Sequence, residues 1–150
     1  MKLAEALQER ADLNCNIEQL RVRLINNALV QENEKPAEEP KALISELDSC
    51  IARLEELMRR INLTNCSTKS DGLTITELIA KKDALKVKIS VYKDLVANAS
   101  QTARRARMTE IKILSTVDVK KLQKQTDDMS KELRLTDNKI QALNWSTELI

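Results

Sequence analysis

The 150-residue chain is 32% charged at a net charge of +2, with one Gly, two Pro, one Trp, one Tyr and neither Phe nor His. Such a turn-poor, aliphatic and charge-rich composition predicts long helices and leaves no glycine-rich phosphate loop. Without histidine, imidazole bases, Ser-His and Cys-His nucleophiles and most zinc and haem sites are excluded.

The first predicted helix runs from about Leu3 to Gln31. Leu13, Ile17, Leu20 and Leu24 recur at steps of four, three and four, the spacing of a packed seam. Arg10 and Asn27 fall in the same register, so each is either a helix end leaving the core or a polar residue that fixes register. "ENEKPAEEP" then reads as a turn, and Pro40 suits the first position of the next helix. That helix carries the clearest pattern of the chain, Leu43, Leu47, Cys50, Leu54, Leu57 and Ile61. A second row, Ile44, Ile51 and Met58, repeats every seven residues beside it. So wide an apolar face predicts two neighbours, one of them in a second copy of the chain.

"NLTNCSTKSDG", Asn62 to Gly72, reads as a polar loop. Thr74 followed by Glu77 forms a capping box for a third helix with a seam of Leu78, Lys82, Leu85, Ile89, Tyr92, Val96 and Ala99. Lys82 in that seam reads as a snorkelling side chain. The seam extends through Ala103 and Ala106, which places the helix end near Arg107. The last helix is expected after a Ser115 or Thr116 cap, with Asp118 in its first turn. Its seam is Val119, Leu122, Thr126, Met129, Leu133, Thr136, Ile140 and Leu143, and Trp145 is expected to cover the bundle end.

The connector before the last helix departs from this pattern. Glu110-Ile111-Lys112-Ile113 alternates like a half-buried strand, with Ile111 and Ile113 toward a core or a partner. A lone strand leaves backbone groups unpaired, so Leu73 to Thr76 or the same segment of a second chain are the candidate partners. Arg104, Arg105, Arg107, Lys112, Lys120 and Lys121 make this region strongly basic, a candidate contact for an anionic membrane surface or an acidic partner. Nucleic acid is disfavoured because aromatic stacking residues and a recognised motif are both lacking. The halves of the chain carry opposite charge, with 10 basic and 13 acidic side chains in residues 1–75 and 15 and 10 in residues 76–150. That split suggests self-association or docking of the halves.

Charges at Glu5, Glu9, Arg10 and Asp12 occupy the stretch where a signal peptide needs an apolar core. Cys15, Cys50 and Cys66 are widely spaced and read as reduced thiols of a cytosolic protein. No catalytic residue, metal ligand, cofactor or small-molecule substrate is evident, and carboxylates off the seams do not make a di-metal site.

The blocks "NNALVQENEKPAEEP", "RINLTN", "GLTITELIAKKD", "EIKILSTVDVKKLQKQTDDMSKE" and "IQALNW" resemble small bacterial helical proteins of a septicolysin-like family, in order and over nearly the whole chain. The resemblance implies an all-helical intracellular protein and, from the family label, a pore-forming or lytic role. From its own residues, the chain reads as a single domain, 1–150. The expected fold is an elongated all-α four-helix bundle with coiled-coil-like packing and an irregular or short extended connector before the last helix. The function read here is that of a non-enzymatic, self-associating cytoplasmic interaction protein. A lytic membrane-active role is the alternative, and polyanion binding a minor one. The candidate oligomer interface comprises Ile44, Ile51, Met58, Ile111 and Ile113.

Overall fold

A computed structural model describes residues 1–101 and 111–150. The protein is all-α. The described residues form four helices, α1 (Leu3–Asn26), α2 (Pro40–Ser67), α3 (Ile75–Ala99) and α4 (Val119–Ser146), with a two-stranded antiparallel hairpin, β1 (Lys69–Ser70) and β2 (Leu73–Thr74), between α2 and α3. The chain, read from its sequence as one domain, divides into two compact units, residues 1–74 with 143–150, and residues 75–142.

In the first unit α1 and α2 lie antiparallel. Arg53 of α2 donates to both carboxylate oxygens of Glu9 at 2.6 and 3.0 Å, and at the other end of the pair Arg23 is bidentate on Glu38. Leu20, Leu43, Leu57 and Ile61 are buried at seam positions, as their spacing predicts, and Leu3 and Ala6 are buried with them. The helix α1 stops at Asn26, short of the expected Gln31. Asn27 is responsible: its side-chain amide donates to Arg23 O at 2.9 Å, and its Oδ1 accepts the backbone N–H of Glu38 at 3.0 Å. One buried polar side chain thus ties the returning chain to the helix end, satisfying backbone groups that a longer helix would have used differently.

The same unit takes in the chain's last residues. Leu3 N donates to Thr147 O and Leu149 N to Met1 O, both at 2.9 Å, a single bridge between Lys2 and Glu148. Ile150 N donates to Thr64 Oγ1 at 3.0 Å, and Arg60 Nε donates to the Ile150 carbonyl at 2.7 Å. Trp145, expected to cover a bundle end, is exposed; Leu149 is buried instead.

The stretch Asn62–Gly72, expected as a loop, is helical through Ser67 and then turns back on itself. Thr64 and Ser67 return their hydroxyls to the carbonyls of Arg60 and Leu63, which lets these polar residues stay within a helix. Asp71 and Gly72 both have positive φ, +51° and +83°, the paired left-handed turn that an Asp-Gly dipeptide favours in two-residue hairpins. The backbone of Leu73–Thr74 therefore pairs with Lys69–Ser70. Thr74 stands immediately before α3, the cap position expected from sequence.

In the second unit Ile75, Leu78, Ile89 and Ile140 form the apolar core with Thr126 and Thr136. Thr126 hydrogen-bonds Leu122 O at 2.8 Å, so its hydroxyl is satisfied within its own helix. The α4 cap is Asp118, whose Oδ1 accepts Lys121 N–H at 3.0 Å. Ser115, expected as the cap, hydrogen-bonds Val117 instead. Asp118 wins because its side chain stands three residues before the free N–H it satisfies.

Candidate functional site

The surface that distinguishes this chain is apolar and belongs to α3. One side of α3 carries Leu78, Ile89 and the seam; the other carries Ala80, Ala84, Val87, Val91 and Leu95, all exposed. Val87 is 68% and Val91 59% exposed. From Ala80 to Leu95 the stripe runs about 22 Å at the helical rise. α3 thus carries apolar residues on two opposite sides, more than packing along one seam requires. At its C-terminal end the stripe meets the connector. Leu95, Asn98 and Ala99 line one side of a hollow of about 270 Å³, and Ile113, Leu114 and Val117 line the other.

Of the residues expected to form the interface, Ile113 is therefore brought beside Leu95, whereas Ile111 is 71% exposed. The segment 111–118 contains no strand, and Ile111, Lys112 and Ile113 are all exposed. Within the chain these residues show no inward and outward alternation of exposure. Ile44, Ile51 and Met58 form the expected second row of α2 and are exposed together, while Leu43, Leu57 and Ile61 beside them are buried.

Of the basic candidates, Lys112, Lys120 and Lys121 are exposed and take part in no ion pair among the described residues. Arg104, Arg105 and Arg107 lie outside the described residues, as do Glu110 and the extension of the α3 seam beyond Gln101. Lys82 was expected to snorkel; it crosses to α4 and donates to Asp137 at 2.8 Å, and Lys81 pairs with Glu132 at 2.6 Å. The outer stripe of α3 is what the sequence reading missed. Its signal was present as a second aliphatic row at steps of four, three, four and four, but small alanines at its start hid it.

The three cysteines are free, with Cys15 and Cys66 exposed. Among the described residues no group of three or more His, Cys, Asp or Glu side chains is placed to hold a metal ion, and no helix is long and apolar enough to cross a membrane.

The profile of a family of unknown function, DUF6847, matches residues 10–149. The chain belongs to this family. A crystal structure of a functionally unknown conserved protein from Corynebacterium diphtheriae is similar to it, at 39% identity and a TM-score of 0.87, covering 100% of this chain and 99% of that one. No curated protein matches the chain.

Proposed function

We propose that this DUF6847 chain is a non-enzymatic, self-associating helical interaction protein of the cytoplasm. The outer stripe of α3 carries the reading: an aliphatic row about 22 Å long left in water is what a protein–protein surface looks like before its partner arrives. A second copy is the partner whose charges fit. Lys88 flanks the stripe on one side, Asp83 and Asp94 on the other. Two α3 helices side by side in parallel, related by a twofold axis, set Lys88 of each against the aspartate side of its mate. The exposed row Ile44, Ile51 and Met58 offers a further apolar surface for assembly.

Light scattering at tens of micromolar tests the reading. The protein is expected to sediment and scatter as an oligomer, and Val87→Asp with Val91→Asp to return it to a monomer of unchanged helicity, because assembly would otherwise bury unpaired charge. A monomeric parent protein would sink the proposal. The lytic role implied by resemblance to the septicolysin-like proteins predicts instead dye release from vesicles rich in anionic lipid. The polyanion reading predicts binding to nucleic acid that falls steeply with salt and is lost with Lys112, Lys120 and Lys121.

A further inference from the structure

A different face of α3 gathers cations. Lys82 and Lys86 stand four residues apart on it, and Arg134 of α4 joins them around a groove of about 420 Å³ that Leu133, Ser130 and Asp137 complete. That volume falls within the range of small-ligand sites. Lys82 is held inward, its side chain only 20% exposed, by its bond to Asp137. Asp137 stands three residues after Arg134, a spacing that permits an ion pair along the helix. Its carboxylate nevertheless goes to Lys82, and among the described residues neither Lys86 nor Arg134 has an ion-pair partner.

Three cations therefore line a groove that holds one carboxylate. Asp137 responds to two of them: the hydrogen bond from Lys82, the Lys82 charge, the Lys86 charge and a hydrogen bond from Gln141 together hold its carboxyl below the usual range. Like charges at the spacing of Lys82 and Lys86 repel, and the local excess of two positive charges is relieved by an anion. The Ser130 hydroxyl is engaged with Thr126 O at 2.8 Å and adds no donor to the groove.

We propose that this groove binds a small phosphate-bearing dianion, with Lys86 and the Arg134 guanidinium as the direct contacts and Lys82 as the third. Arg134 supplies the planar fork that matches two phosphate oxygens; Lys86 supplies a compact charge. Lys82 has two further N–H donors beyond the one spent on Asp137. Asp137 orients Lys82 and sets the charge preference. A dianion gains twice what a monoanion gains from each cation and neutralises the excess that remains. Leu133 gives the groove an apolar wall for the organic part of a phosphomonoester.

The test titrates the full-length protein at fixed ionic strength with inorganic phosphate and with phenyl phosphate, read by calorimetry and by phosphorus NMR. Saturable binding is expected, weakened at least about tenfold in Lys86→Gln with Arg134→Gln and unchanged in Lys120→Gln with Lys121→Gln. Should the first double variant lose its helical circular dichroism, Arg134→Lys keeps the charge and removes only the fork, and weaker binding there carries the same meaning. Co-sedimentation with phosphatidic acid vesicles, against phosphatidylcholine, separates the sources. Loss of vesicle binding in the groove variant with free phosphate inert would place the phosphate on a lipid headgroup. Binding equally reduced in both double variants, unchanged in the groove variant, or absent with every probe overturns the proposal. Val87→Asp with Val91→Asp is expected to bind as the parent does, so failure of the groove and failure of self-association are read separately.

Discussion

Single polar side chains decide where the elements of this protein begin and end. Asp118 and Asn27 each satisfy backbone groups at a helix terminus, and Thr64 serves two neighbours at once, donating to Arg60 O and accepting from Ile150 N. Asp118→Ala is expected to lower stability by about 1 kcal/mol in urea unfolding, and Ser115→Ala by less than about 0.5 kcal/mol. Equal losses would restore Ser115 as the cap. Acid behaviour follows from Glu9, whose carboxyl lies below its ordinary value of 4.5, chiefly through the hydrogen bonds from Arg53. The folded chain thus binds that proton less readily than the unfolded chain. The stabilisation is complete above about pH 4.5 and is lost as pH falls through the lower folded value. Glu9→Gln is therefore expected to flatten the acid side of the stability profile, as followed by urea unfolding at a series of pH values.

At the scale of elements, α2 shows how far a heptad pattern can be trusted. Leu57 is fully buried, and Leu57→Ala is expected to cost about 2–5 kcal/mol, since its space in the α1–α2 seam cannot close. Glu55→Ala, on the exposed side, is expected to cost less than about 0.5 kcal/mol. Comparable losses in urea unfolding would mean that the register is wrong. The seam positions and Pro40 at the helix start were legible in the sequence because both depend on the 3.6-residue repeat and on local backbone chemistry. The end of α2 was not. Thr64 and Ser67 look like loop residues by type, but their hydroxyls are satisfied by preceding carbonyls within the helix. The connector, expected as irregular or briefly extended, holds no strand over residues 111–118; its alternation satisfies a strand pattern, but a strand exists only where another edge pairs with it.

At the scale of the molecule, the chain's last residues belong to the first unit, hydrogen-bonded to Met1, Leu3, Arg60 and Thr64. Removing residues 147–150 breaks the hydrogen bonds at Thr64 Oγ1, Leu3 N and Met1 O, and is expected to lower the thermal midpoint more than any single exposed substitution; calorimetry checks it. The sequence by itself determined an all-α protein of four helices, the inward seams and the exclusion of imidazole chemistry, because composition and periodicity act locally. The tertiary structure alone decided which cations meet which carboxylates, which aliphatic rows stay in water, and where the terminal segment docks. Lys82 and Asp137 are 55 residues apart in the chain, and Leu3 and Thr147 are brought together by backbone hydrogen bonds. Such pairings depend on how helices cross and turn in space, a property that no local repeat encodes.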